Sequence, residues 1–298
     1  MTPLPLVSIG IPTYNRARLL PGALNTLLRQ TYKNIEYIIS DNASTDDTET
    51  LMRAYAAEDM RITYIRQPKN IGAIANHEFV LKQAKGKYFM WASDDDEWNE
   101  RFVETLVRVL EENPDYGVAM SHYFERRLYP DGREETRVRT HFFTDASYQE
   151  TFFYHFRHGK SPIFTFGLWR SYLIKKIHER STAITFQCTL AMLSEAALAT
   201  RFYSVREPLH TRLQDMRSRI ERHPASHPFS YQEFLAPFPF TRYFLVMFWR
   251  LATSPVIPFS RKWMFIAPWC RRLWLKKRNI AREFLRFPSR YFSRKSVK

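Results

Sequence analysis

This 298-residue sequence predicts an α/β fold, a mixed sheet flanked by helices, on three observations. Through the first ~125 residues, short apolar runs alternate with amphipathic stretches of helical period, the pattern of parallel α/β units. The fourth run, "YFMWA" from Tyr88 to Ala92, is apolar at every position, as a central strand covered on both faces must be. Polar clusters then follow three of the runs, at the strand ends where such sheets bind ligands.

Taken in order, "LVSIGI" (Leu6 to Ile11) is the first strand, followed by Pro12 and a polar turn. Leu19, Leu20, Ala23, Leu24, Leu27 and Leu28 recur at helical spacing and predict a helix ending near Gln30. "IEYIIS" is the second strand, and "DNASTDDTETLMRAYAAE" opens with cap-type residues and becomes a helix. "RITYIR" is the third strand, and "NIGAIANHEFVLKQAKG" a turn and helix that Gly86 closes as a C′ residue. After the fourth strand come three aspartates, then "RFVETLVRVLEENPD", a helix with Phe102, Leu106, Val109 and Leu110 on one side. "YGVAMSHYF" and "RRLYPDGREETRV" read as strands with a hairpin turn at Asp131-Gly132. From Thr140 to Glu207 the pattern loosens to loops, a strand near "IFTFGLW" and a helix from Leu190 to Ala199. Pro224, Pro228, Pro237 and Pro239 mark a boundary to the tail. The expected units are 1–125, 126–225 and 226–298, the last a basic, aromatic, helical appendage.

Hydrophobic content of 45% supports a core that needs no staples. Cys188 and Cys270 lie far apart without ligand spacing, which argues for a reducing compartment and against a disulfide or zinc framework. The N-terminus shows no basic n-region before an apolar run, so no secretory signal is expected. Net charge is +15, and most of it is local. Phe240 to Lys298 holds 15 Lys/Arg against Glu283 alone, together with 14 aromatics. No ~18-residue apolar run occurs there, and Arg250 interrupts the best candidate, so no spanning helix is expected. Aromatics interleaved with cations suit the interface of an anionic membrane leaflet. Two other readings stay open: nucleic-acid binding, which shares this composition, and packing of part of the tail on the domain.

Three clusters fall on one rim of the expected sheet: "PTYNR" after strand one, "SDNAS" after strand two and "SDDDEW" after strand four. Turn residues collect at strand ends in any protein, but three such clusters on one rim read as a site. Asp94, Asp95 and Asp96 are adjacent carboxylates that repel one another. A hard cation, Mg²⁺ or Mn²⁺, relieves that repulsion and binds carboxylate oxygens together with the phosphates of a nucleotide. The competing reading is a solvated acidic turn capping the next helix, for which one carboxylate suffices. His77, His122, His155 and His158 show no ligand spacing and read as ordinary. Cys188 reads as a small buried residue rather than a nucleophile.

The order "VSIGIPTYNR…LLRQTYKNIEYIISDNASTDDT…NIGAIAN…GKYFMWASDDD" resembles the family 2 glycosyltransferases, closely over residues 6–125 and more faintly to about Arg212. The resemblance implies the GT-A fold, a Rossmann-type mixed sheet, and inverting transfer of a hexose from a nucleotide-sugar donor to a hydroxyl. It assigns 1–125 to the donor half and 126–225 to the acceptor half. By position, Pro12, Thr13, Tyr14, Asn15 and Arg16 match the segment lining the nucleotide-sugar pocket. Asp41 matches the aspartate that accepts from the imino nitrogen of the base. Asn70, Gly72 and Asn76 match the stretch passing close to nucleotide and sugar. Ser93 and Asp94 match the donor-facing end of strand four. Asp94 and Asp95 match the end of the family's D-x-D metal motif, whose first acid is replaced here by Ala92; Asp96 is a compensating metal ligand. A general base is implied before a helix resembling "LAMLSEAALATRF", but Thr189 stands at its place. Asp215, Glu179 and Asp145 are the alternatives, and Glu195 matches a structural residue. The implied setting is bacterial cell-surface polysaccharide or glycolipid assembly, peripheral on the cytoplasmic face of the inner membrane. A saccharide or lipid-linked acceptor is implied, and no nucleic-acid partner. A nucleotidyltransferase on a similar sheet and a degenerate nucleotide-binding scaffold are the competing functions.

Overall fold

The computed structural model describes residues 3–141, 143–158, 162–179, 188–216 and 239–282. The four apolar runs form parallel strands: β1 (Val7–Thr13), β2 (Ile35–Asp41), β3 (Ile62–Arg66) and β4 (Tyr88–Trp91). They lie in the order β3-β2-β1-β4. Helices α1 (Leu20–Leu28), α2 (Thr48–Glu58) and α3 (Ala73–Gln83) make the connections. Leu20, Ala23, Leu24 and Leu27 form the buried stripe of α1, as the helical period requires. The chain leaves β1 for one neighbour, β2, and returns to the other, β4. The switch point of the topology is therefore the crevice between β1 and β4.

Gly86 serves a different purpose from the one expected. Helix α3 ends at Gln83, with Ala84 already extended. Gly86 is needed because a Cβ there would lie 2.7 Å from Leu6 O and Ser8 N of the adjoining chain.

Beyond the aspartates come the short β5 (Glu97–Trp98) and α4 (Phe102–Glu112), whose apolar side includes Phe102, Leu106, Val109 and Leu110. Next is β6 (Tyr116–Leu128), which turns at Gly132 (φ 84°) into β7 (Glu134–Arg139), the expected hairpin. The loosely patterned stretch is more regular than its sequence suggested. It contains α5 (Tyr148–His158), a 3₁₀ turn (Pro162–Phe166), β8 (Leu168–Arg170), α6 (Ser171–Glu179), α7 (Cys188–Ala199) and β9 (Arg201–Asp215). Strand β8 runs antiparallel between β4 and β6, and β9 lies parallel to β6 along most of its length. Pro208 sits beside the register shift at Ser121/His122, so β9 absorbs a residue that cannot donate to a ladder. Strands β4, β6 and β9 thus run toward the same rim, with β6 and β9 extending past the end of β4. The proline-rich boundary at Pro224, Pro228 and Pro237 lies outside the described residues.

The tail expected as a separate appendage is, over 239–265, part of the domain. Helix α8 (Pro239–Ala252) buries Phe244, Met247 and Leu251. A second 3₁₀ segment (Phe259–Phe265) adds Phe265 to the core, and α9 (Ile266–Leu275) follows. Arg250, which breaks the apolar run in the sequence, is buried. Its Nε lies 2.6 Å from Glu195 Oε2 on α7, and its guanidinium donates to Ile177 O at 2.8 Å. Arg250→Ala strands a buried carboxylate and should cost about 3–5 kcal/mol, read as a drop in urea midpoint. Arg250→Met with Glu195→Leu, which removes both charges, should recover most of it; failure to recover would show that the pair does more than satisfy itself.

An aromatic layer under α5 and β6 holds two buried histidines. His155 is ringed by Phe143, Phe164 and Phe202, and His141 by Tyr123, Phe143 and Phe164. Burial pushes His141 down to about 4 and His155 down to about 3. The unfolded chain binds these protons from pH ~6.5 downward. Stability is therefore full above that value and falls as pH drops toward 4 and then 3. Thermal melts across pH 7 to 4 should show this loss, and His155→Phe should flatten it.

Candidate active site

The loops after β1 and β2 form one hydrogen-bonded unit. Asn15 adopts a left-handed conformation (φ 53°), which Asn tolerates better than most residues. This turns its N–H to Ser44 Oγ (2.9 Å) and its side-chain oxygen to Thr45 N (2.8 Å). Arg16 N donates to Thr48 Oγ1 at 3.1 Å and Ala17 N to Asp46 Oδ2 at 3.0 Å. The Asn of "PTYNR" and the Ser/Thr/Asp run of "SDNASTDDT" are thus each other's partners. Pro12 lies in register with Ser40, and Tyr14 is half-buried beside them.

Asp41, at the end of β2, is fully buried. Ser44 N donates to its Oδ1 at 2.8 Å and Tyr64 OH to its Oδ2 at 2.7 Å. The residue expected to meet a base therefore also organises its own loop, each of its oxygens already accepting one hydrogen bond. Asn76 is locked beneath: Ser40 Oγ donates to its Oδ1 at 2.6 Å, and its Nδ2 donates to Ser40 O at 2.9 Å. Asn70 receives Asn42 Nδ2 and Gly72 N, both at 2.9 Å. Gly72 (φ 87°) turns the chain into α3, a backbone conformation that glycine adopts without a Cβ clash.

The three aspartates divide. Asp94 stands across the β1–β4 crevice from the first motif: Thr13 Oγ1 donates to its Oδ2 at 3.0 Å, and Arg16 Nε lies 3.3 Å from its Oδ1. Asp95 accepts from Ser93 and senses Arg16 and Arg212. Burial pushes the Asp94 carboxyl up to about 6 against the pull of Arg16, and the Asp95 charge adds to the rise. Asp95 is raised by burial and by Asp96. Asp96 turns the other way and is buried. Its Oδ2 lies 3.0 Å from His210 Nε2 and its Oδ1 accepts Leu213 N at 3.0 Å. Both oxygens of Asp96 tie the loop to β9, so the carboxylates left on the rim are Asp94 and Asp95. Among the described residues, no three His, Cys, Asp or Glu side chains gather as a complete metal site.

The acceptor-side candidates scatter. Glu179 is exposed at the end of α6, which starts beside the first residues of β4 (Ser171 N donates to Lys87 O) and climbs toward the rim. Asp215 ends β9 on the rim, two residues past Leu213; strand alternation turns it to the opposite face from His210 and Arg212. Asp145 lies near Tyr116, at the start of β6 and away from the rim. Thr189 is in the first turn of α7, and the residues just before that helix lie outside the described set. His210 and Arg212 escaped the sequence reading. The alternation in "EPLHTRLQD" was their only signal.

The division predicts opposite stabilities. Asp96→Ala leaves a buried imidazole and the Leu213 N–H without their acceptor, at about 1–3 kcal/mol per group, read as a lower Tm. Asp94→Ala and Asp95→Ala should keep or raise Tm, because they remove half-buried, mutually repelling charges. Equal destabilisation by all three would contradict the division.

The model of glycosyl transferase family 2 matches residues 8–178, more than half of the chain. Glycosyltransferase GlyG of Streptococcus pneumoniae is 32% identical over 119 residues, covering 40% of this chain and 39% of that protein. A GalNAc(5)-diNAcBac-PP-undecaprenol beta-1,3-glucosyltransferase of Campylobacter jejuni is 34% identical over 110 residues, covering 37% of this chain and 36% of that one. The match thus spans little more than a third of each relative's length. The crystal structure of S. aureus TarS 1-349 in complex with UDP-GlcNAc aligns with a TM-score of 0.64 at 17% identity, over 90% of this chain and 72% of that one. That likeness supports a GT-A arrangement of the mixed sheet. With a family match that runs through the crevice between β1 and β4 and covers more than half of its length, the chain belongs to glycosyl transferase family 2.

Proposed function

We propose that the protein moves a hexose, with inversion, from a nucleoside diphosphate sugar to a hydroxyl acceptor. The observation that carries this is the β1–β4 crevice. There Thr13 and Arg16 face Asp94 across the switch point, and Asp94 and Asp95 crowd two carboxylates where burial disfavours their charge. Such a pair fits a divalent cation, Mn²⁺ or Mg²⁺. The donors are hard oxygens, and two of them leave positions for diphosphate oxygens, the usual division of ligands for these ions. Asp94 and Asp95 would hold it, and when bound it neutralises charge on the departing diphosphate.

The chain's own residues do the rest. The Asn15–Thr45 and Asp41–Tyr64 contacts fix the wall on which the nucleotide rests, with Pro12, Tyr14, Asn70, Gly72, Asn76 and Ser93 around it. Arg16 is half exposed and free to swing from Asp94 to a phosphate oxygen. The acceptor oxygen bonds to the anomeric carbon as the bond to the diphosphate breaks, and the acceptor proton passes to a carboxylate. Glu179 and Asp215, both at the acceptor side of the rim, are the groups assigned to receive it. The acceptor is a saccharide or lipid-linked hydroxyl in cell-surface polysaccharide or glycolipid assembly, met on the cytoplasmic face of the inner membrane. The Campylobacter relative, whose name carries a PP-undecaprenol acceptor, supports that reading.

A thermal-shift panel of nucleotide sugars should show stabilisation that needs Mn²⁺ and is lost in Asp95→Ala. Turnover should release free nucleoside diphosphate; free pyrophosphate would instead indicate nucleotidyl transfer, and binding without turnover on a broad acceptor panel a scaffold. Of Glu179→Gln and Asp215→Asn, the one that removes the base should lower kcat by about 10²–10⁴-fold with donor binding unchanged.

A further inference from the structure

Helix α8 is apolar on two neighbouring sides, centred about 120° apart at 100° per residue. Phe244, Met247 and Leu251 face the domain, with Arg250 held by Glu195. Leu245, Phe248, Trp249 and Ala252 follow the i, i+3, i+4, i+7 spacing of a second stripe. Its outer edge faces solvent, with Leu245 61% and Trp249 69% exposed; Phe248 is 37% exposed, and Ala252 packs on the core. Phe248 carries it onto the next segments, its ring centroid 5.6 Å from that of Phe265 and 5.1 Å from that of Trp269. On the adjoining 3₁₀ segment Phe259 (74%) and Trp263 (62%) also stand exposed. A water-facing helix side normally carries polar residues, and a contiguous exposed apolar patch marks a contact surface.

We infer that this face, Leu245, Phe248, Trp249, Phe259 and Trp263, is seated in the headgroup region of an anionic membrane leaflet, with α8 lying along the surface. The inference deepens the membrane side of the proposed function and rests on it. Charge selects the occupant. Residues 239–282 contain ten Lys/Arg and no Asp or Glu. A second copy of this chain would set like charges against like, whereas an anionic leaflet complements them. Nucleic acid fits less well, since the α8 stripe includes a leucine that cannot stack on a base. At 14 residues the helix is ~21 Å long, short of the ~30 Å hydrocarbon core, and no described helix is long and apolar enough to cross a membrane. A helix with that length and aromatic content lies in the interface. Because its other side is pinned to α7, seating α8 holds the acceptor half of the domain at a fixed height over the bilayer.

Co-sedimentation of the full chain with phosphatidylglycerol-containing and pure phosphatidylcholine vesicles tests this, using Trp249→Ser with Trp263→Ser and, as a control, Met60→Ser at an exposed apolar position on the opposite half. Both substituted tryptophans point to solvent, so the fold should stand, checked by an unchanged Tm and unchanged nucleotide-induced shift. The expected result is binding that prefers the anionic vesicles and weakens only partly in high salt. The double variant should lose about tenfold or more of that binding, and Met60→Ser none. Binding of the full chain that the double variant retains would overturn the assigned face while leaving the membrane reading in place. No vesicle binding by the full chain, or a preference for single-stranded or duplex nucleic acid over vesicles, would overturn both, and neither result touches the donor chemistry.

Discussion

Three carboxylates at the end of one strand cannot all be satisfied in the same way, and the structure depends on how they are separated. Asp96 is spent inside, bonded to His210 and the Leu213 N–H. That bond ties the loop after β4 to the long strand β9, so the first four strands and β9 share one rim. It also fixes the loop in a shape that leaves Asp94 and Asp95 close together at the mouth of the crevice. Their mutual repulsion is the cost of that geometry, and in the proposed function a divalent cation with a diphosphate would relieve it. Fold and chemistry meet in the same three residues.

The remaining features follow from keeping that rim in place. The loops after β1 and β2 hold each other through Asn15, Ser44, Thr45 and Thr48, so Thr13 and Arg16 arrive opposite Asp94 without help from a ligand. On the far side, α7 backs the acceptor half and is itself clamped by α8 through Glu195 and Arg250. A basic, aromatic tail is in this way partly structural. Its inward residues complete the core, and its outward residues remain for a surface.

The first 125 or so residues were legible in the sequence because their signals are local. Apolar runs, helical spacing and strand-end polar clusters each lie within a dozen residues, and together they placed β1 to β4, α1 to α4 and the rim. What was hidden is long-range. Nothing in "SDDDEW" distinguishes Asp96 from its neighbours; only β9, more than a hundred residues on, does so. Strand β9 itself was masked by Pro208 and by charged residues that suggest a loop, although pairing along β6 tolerates both. Arg250 reads in sequence as an interruption of a membrane-like run, and only its distance to Glu195 shows it to be a buried anchor. The proposed base is the same kind of problem: Glu179 and Asp215 lie on different elements, α6 and β9, and local patterning ranks neither.

The central claim is the division of the aspartates between a metal-facing pair and a structural third. Crystals of the protein with Mn²⁺ and a nucleoside diphosphate, measured at the manganese absorption edge, test it most directly. One anomalous peak is expected in the β1–β4 crevice, ~2.0–2.2 Å from a carboxylate oxygen of Asp94 or Asp95 and from diphosphate oxygens, with Asp96 still bonded to His210. A peak ligated by Asp96, with His210 released, would contradict it.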